Sequence, residues 1–417
     1  MKKIHHIAAV ALVLAATVSC QDKSKDIQIS YYNGVEGLYY LEVEDFDFDA
    51  AKLMADESAD QSDPVALCSQ VRKGGFVARN LDWFQNDQAT AVVRVKSGAK
   101  YTSLNVCGCS PVLLRGAETI DAKSLNRLPL SFNDGMNDAG LYIGVNVVPY
   151  GEMTEGVSDY GSEQGKPGYV KYKAEDAVDP VWYRTNYLGR MVLDNCATVE
   201  EAVEFIKTHN WYDSYFHLAH FQLHWLIADA HTNLVFEFID SKPRFDLMTT
   251  SLDTPSYATV MTNFSNVLAS KGFPRQNHGA GYERTAAAMA HYAEYTDMKD
   301  FCRLLFYSKA YDLKPEDPEF FWSETVGCGP EDNPFTQDEL VAWGKGEGRE
   351  GARWDAYVQM MKEYKANFED EKLSRPANAI SWNSSHSSVW ELATGTLTLD
   401  IDEMDIWKLQ MSVFEQK

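Results

Sequence analysis

Basic residues are scarce in this chain: 38 Lys and Arg stand against 61 Asp and Glu in 417 residues, a formal net charge of −23. A groove for nucleic-acid phosphates needs concentrated positive charge to displace counterions, so nucleic acid is excluded as a partner. Attraction to anionic membrane surfaces is disfavoured for the same reason, and the acidity reads as a solvated surface. The sequence also lacks an apolar run of the ~20 residues that a membrane-crossing helix requires. Its run at 7–18, preceded by Lys2 and Lys3, has the length of a signal peptide, so residues 1–19 are expected to be removed and the chain exported. No repeat occurs at a solenoid period. With 45% hydrophobic and 24% charged residues, one main globular domain is expected.

Cysteine is too sparse for a disulfide scaffold. Of the seven, Cys20 follows Thr17-Val18-Ser19 in a pattern that resembles a bacterial lipobox, with Thr17 where Leu is usual. This makes Cys20 the expected lipidation site, residues 20–67 a tether and pro-segment, and the cell envelope, periplasmic or outer-membrane anchored, the expected location. A signal peptide cut near Cys20 without lipidation is the alternative. With Cys20 and Cys68 set aside, Cys107, Cys109, Cys196, Cys302 and Cys328 remain, an odd number that excludes complete pairing and leaves room for one incidental disulfide. Cys107-Gly108-Cys109 has no second pair or nearby His at zinc spacing and reads as strand cysteines. His217, His220 and His224 also hint at a metal, but no Glu takes the metalloprotease position, and the period of two through Leu223, Trp225 and Ile227 reads as a strand. No metal and no cofactor is expected.

Hydrophobic patterning predicts strands over 68–71, 76–80, 91–95, 101–106, 141–148, 223–229, 234–239 and 257–261. Lys73-Gly74-Gly75 forms the turn of a first hairpin and Ala393-Thr394-Gly395 that of a last, between 389–392 and 396–399. Thr198-Val199-Glu200-Glu201 is a capping box that opens a helix running to 208. Further helices are expected over 284–295, 298–308 and 353–368, with an acidic, Trp-containing loop or lid at 312–347. Ahead of Cys68, residues 27–43 are apolar enough to pack, whereas 45–63 read as an exposed acidic linker. Two groups of strands interleaved with helices make an α+β layered fold with antiparallel sheets.

The stretch Ala66-Leu67-Cys68-Ser69-Gln70-Val71, followed across the glycine turn by Ala78-Arg79-Asn80-Leu81-Asp82-Trp83, resembles the start of the mature choloylglycine hydrolase family. This family of linear amide hydrolases includes conjugated bile acid hydrolases, penicillin V acylases and acid ceramidase-like amidases. The resemblance extends over most of the chain after Cys68. It takes in Asn133-Asp134-Gly135-Met136-Asn137, Gly144-Val145-Asn146, Leu223-His224-Trp225-Leu226-Ile227-Ala228-Asp229, Val260-Met261-Thr262-Asn263 and Glu283-Arg284-Thr285. It implies a four-layer αββα N-terminal nucleophile hydrolase sandwich with two antiparallel sheets, spanning a catalytic domain at 68–417. It also implies a small-molecule acyl amide as partner and leaves homo-oligomers open.

A protonated thiol is a poor nucleophile, and an unperturbed pKa of about 8.5 leaves little thiolate at neutral pH. Cutting the Leu67–Cys68 peptide bond would create an α-amino group with a pKa near ~8 on the same residue as the sulfur, joining base and nucleophile. The family pattern then implies that Asp82 holds this amine and that Arg79 favours the thiolate. It implies that Asn146 and Asn263 donate to the oxyanion, at about 3 kcal/mol per donor, and that Arg284 orients Asp82 or the substrate. Taken singly, Arg79 and Asp82 are an ion pair on a hairpin and the two asparagines are strand-end residues; their joint order is what points to chemistry. Alternatives are acyl transfer to an amine acceptor and a non-catalytic lipoprotein that binds acylated ligands. Bile salt conjugates, penicillin V-like amides, N-acyl amino acids and N-acyl ethanolamides all suit the expected chemistry.

Overall fold

Period-two alternation of apolar residues is realised as two large sheets in the computed structural model. It describes residues 26–49, 51–52, 68–82, 89–97, 100–108, 112–149, 170–212, 221–272, 285, 288–289, 292–295, 298–299, 302, 350–356, 384–401 and 409–414. Among these, the strands of the two large sheets are, in chain order, β1 (Leu38–Phe46), β2 (Ser69–Lys73), β3 (Phe76–Asp82), β4 (Thr90–Ser97), β5 (Ser103–Cys107), β6 (Asp134–Asn137), β7 (Tyr142–Pro149), β8 (Phe221–Ala228), β9 (Asn233–Ile239), β10 (Lys242–Thr249), β11 (Val260–Met261), β12 (Ser384–Glu391), β13 (Thr396–Ile401) and β14 (Leu409–Ser412). One sheet has eight strands in the order β10-β9-β8-β7-β6-β5-β4-β1, and the other has six in the order β11-β2-β3-β12-β13-β14.

Each strand sends alternate residues to opposite faces. Val92, Leu104, Val106, Met136, Tyr142 and Leu226 of the larger sheet meet Val77, Trp390, Leu397 and Leu399 of the smaller one in a buried layer between the sheets. The outer face of the larger sheet, through Tyr39, Val93, Ile143, Trp225 and Phe236, packs on the helices Leu188–Asn195 and Val199–Lys207. The outer face of the smaller sheet, through Val71, Ala78, Val260 and Val389, packs on Ala288, Tyr292, Met298 and Cys302. Residues 285, 288–289, 298–299 and 302 are helical. The layers therefore run α, β, β, α. Close approach of the sheets depends on Gly144, where a Cβ would overlap the side chains of Gln70 and Tyr142.

Several expectations need correction. The sheets are not wholly antiparallel, because β1 runs parallel to β4, with Leu38 opposite Thr90 and Val43 opposite Val95. Parallel neighbours need a long connection, and here the chain from β1 to β4 passes through the β2–β3 hairpin of the other sheet. The exposed linker does not begin at 45: Phe46 and Ala51 are buried, and Asp47 accepts from Asn126 Nδ2 through its backbone oxygen (3.1 Å). A short strand, Ile27–Gln28, pairs with Thr119–Ile120. The strand expected at 257–261 is confined to β11, because Ser256 and Thr259 tie the preceding residues into a turn. The capping box is displaced by one residue: Thr198 Oγ1 accepts from Glu201 N, but the Glu201 carboxylate accepts from Ala197 N rather than from Thr198. No disulfide joins Cys68, Cys107, Cys196 or Cys302, which are all buried thiols. Cys20, Cys109, Cys328, His217, His220, Arg284 and residues 312–347 lie outside the described residues.

Candidate active site

Cys68 precedes β2 directly and is 2% exposed, packed on Leu81, Val147 and Leu223 between the sheets. The β2–β3 hairpin places Arg79 opposite Gln70, two residues beyond the cysteine. Arg79 shares the inward face with Val77, which sends a fully buried guanidinium back to the thiol: Nη2 lies 3.9 Å from Cys68 Sγ. The same group donates to Val145 O (2.6 Å), to Asn133 O and to Asp134 Oδ1 (3.2 Å). Burial works against its charge, but the negative charge of Asp134 and the neighbouring Cys68 outweigh this and hold the Arg79 pKa above the ordinary guanidinium value. A fixed cation beside the sulfur favours thiolate over thiol. Two of the other three buried thiols differ in this respect: burial pushes Cys107 up despite the Arg190 charge, and pushes Cys196 up to about 12.

Asp134, on β6, is the residue that sequence reasoning left without a role. Its carboxylate accepts from Arg79, from His386 Nε2 (3.3 Å), from Ser388 Oγ (2.8 Å) and from Trp390 Nε1 (2.7 Å). Burial alone would raise its pKa, yet the His386 hydrogen bond, the Arg79 charge and the Trp390 bond together hold it below the usual carboxylate value. Three alternating residues of β12 thereby reach the pair that contacts Cys68. The signal for Asp134 was an acidic residue in the strand that follows Phe132, but nothing local named partners more than 50 residues away.

Asn146 and Asn263 are brought to the same place. Gln70 Nε2 donates to Asn146 Oδ1 (2.8 Å), and Gln70 Oε1 accepts from the Tyr142 hydroxyl (3.0 Å). Burial pushes the Tyr142 phenol well up, so it stays a donor. Asn146 Nδ2 reaches Thr262 O (3.2 Å), and Asn263 Nδ2 reaches Val147 O (2.7 Å). The two asparagines therefore cross between the sheets in opposite directions, each held by a carbonyl beside the other. Asp82 ends β3 opposite Ser384; its side chain, like Arg284, is outside the described residues. Thr285, the neighbour of Arg284, is buried with Oγ1 3.1 Å from Thr262 Oγ1. His224 turns its ring nitrogens to Glu237 and to Thr262 O.

The family model of the linear amide C-N hydrolases, choloylglycine hydrolase family, matches residues 70–312, more than half of the chain. Two variants of a conjugated bile acid hydrolase from Clostridium perfringens are 16% identical, cover 82% and 81% of this chain and 90% of their own, and superpose with TM-scores of 0.34. A penicillin V acylase from Agrobacterium tumefaciens is 16% identical over 86% of this chain and 84% of its own, with a TM-score of 0.30. No curated protein matches the chain. The family match defines a hydrolase of linear amide bonds, carried here on layers that run α, β, β, α. The chain belongs to the choloylglycine hydrolase family.

Proposed function

We propose that the chain is a cysteine N-terminal nucleophile amidase, made active by cleavage between Leu67 and Cys68, that hydrolyses an apolar acyl amide. The observation that carries this reading is the buried Arg79 guanidinium on Cys68 Sγ, backed by Asp134 and held by the carbonyl of Val145, the neighbour of Asn146. In the cycle, the α-amine of Cys68 takes the thiol proton and the thiolate attacks the amide carbonyl. The tetrahedral intermediate collapses with protonation and departure of the amine, and water hydrolyses the thioester to release the acid and restore the thiol. Asp82 holds the α-amine and Arg284 orients Asp82 or the substrate. Asn146 and Asn263 now donate to neutral carbonyls, and a developing oxyanion is a stronger acceptor that competes for the same N–H groups.

The preference of the pocket among bile salt conjugates, penicillin V-like amides and N-acyl amines belongs to the same proposal, as does anchoring of the exported protein through Cys20. Intact-mass measurement and N-terminal sequencing test it: the mature protein yields a chain beginning at Cys68, and Cys68→Ala yields a single uncut and inactive chain. Hydrolysis by an uncut chain would overturn the proposed base.

A further inference from the structure

Asn263 lies on a short segment between β11 and the helix Asn266–Ser270, and that segment is gripped on both sides by one buried pair. On the near side, His224 Nε2 is 2.7 Å from Thr262 O, the carbonyl that also accepts from Asn146 Nδ2. On the far side, Glu237 Oε1 accepts from Asn266 N (2.7 Å), and Oε2 accepts from Ser265 Oγ (2.6 Å) and Val267 N (3.2 Å). Between the two grips, His224 Nδ1 meets Glu237 Oε1 at 3.2 Å. Both side chains are fully buried.

Counting donors fixes one end of the ring. A carbonyl can only accept, so Nε2 of His224 must carry a hydrogen toward Thr262 O. Glu237 accepts from two backbone N–H groups that cannot accept in return, and Ser265 Oγ, which itself accepts from Leu268 N at 3.1 Å, gives its own hydrogen to the carboxylate. Oε1 of Glu237 accepts from Asn266 N and also shares one hydrogen with Nδ1 of His224, so a hydrogen bond closes the pair whichever of the two atoms carries that hydrogen.

We propose that His224 and Glu237 are a hydrogen-bonded positioning pair for the amide hydrolysis, holding Thr262 and residues 265–267 so that Asn263 and Asn146 converge beside Cys68. This rests on the reading of Cys68 as nucleophile and the two asparagines as oxyanion donors. Neither His224 nor Glu237 touches the reacting atoms; they act through Thr262 O and through the backbone that flanks Asn263.

Glu237→Gln in the full, processed protein tests the inference. It keeps the volume but presents an NH2 group to donors from which a carboxyl oxygen now accepts. Displacement of an oxyanion donor by an ångström-scale shift predicts a fall in kcat of about 10- to 100-fold with KM within about threefold. Alkylation of Cys68 by iodoacetamide needs no oxyanion donor, so its rate should stay within about twofold of wild type. A purely structural role would leave kcat intact well below the melting temperature, or would change alkylation and kcat together, and either result overturns the proposal. Cys68→Ala on the same substrate separates the two levels: hydrolysis that survives there overturns the nucleophile reading, whereas a dead Cys68→Ala beside an unimpaired Glu237→Gln overturns the positioning pair alone. Should Glu237→Gln fail to fold or mature, neutron crystallography of the wild-type protein at neutral pH decides. A deuteron on Nε2 of His224 toward Thr262 O and one deuteron between Nδ1 and Glu237 are expected, and the absence of either overturns the pair.

Discussion

Asp134 binds Arg79, His386, Ser388 and Trp390 through two oxygens, so replacing it strips several donors of an acceptor at once. Asp134→Asn should destabilise the protein by about 3–5 kcal/mol in urea unfolding, because a buried guanidinium loses its counter-charge. Where the variant folds, alkylation of Cys68 should slow, since a loosened Arg79 no longer fixes the sulfur's partner. The pH dependence follows from the depressed native value of Asp134. The carboxyl holds its proton more weakly folded than unfolded, so its stabilisation is present above the unfolded value near ~4 and is lost as pH falls through the native value. Acid unfolding of the wild type should contain this component, and Asp134→Asn should lack it. At this scale the sequence was most readable where chemistry is local. Cys68 and Arg79 share a hairpin, and Asn146 and Asn263 end quoted motifs. Asp134 sat in one of those motifs, but its partners lie on β3 and β12, and pairing across sheets leaves no mark in nearby residues. His224 and Glu237 were more accessible: Trp225 pairs with Phe236, so the next residues outward on the β8–β9 hairpin oppose each other.

Among the elements, hairpins and the helix Val199–Lys207 were readable because turn glycines and a capping threonine announce themselves within a few residues. Gly74 and Gly395 adopt positive φ of 51° and 62° at the two expected turns. The parallel β1–β4 pair was not readable, since its register is set by packing of Tyr39, Leu41 and Val43 under the outer helices rather than by a turn. Gly144 shows a demand that only the packed sheets reveal. Gly144→Ala should cost about 1–3 kcal/mol, measured by thermal or urea unfolding, because the methyl would force Gln70 and Tyr142 apart. Gln70 links to Asn146, so the same variant should lower amide hydrolysis more than its loss of stability explains.

For the molecule as a whole, the cut before Cys68 would divide a folded body rather than trim a tail. Residues 38–46 form an edge of the larger sheet, and Tyr39, whose hydroxyl donates to Ala117 O (2.9 Å), is buried among residues from beyond the cut. Mature protein should therefore show two polypeptides on a denaturing gel and a single species on gel filtration, and free catalytic chain without its leader fragment would contradict this. The proposed anchor at Cys20 would then hold the enzyme through the non-covalent contacts of the leader fragment, β1 and the Ile27–Gln28 strand among them.

Cleavage of such a body alters the order of its refolding kinetics. Before the cut, β1 finds β4 as a first-order event; afterwards the same strand must be recaptured from solution, so recovery from urea should become second-order and the melting temperature of mature protein should rise with its concentration. A mature molecule that unfolds at high dilution would have no efficient way back, which makes assembly a once-only event for each copy.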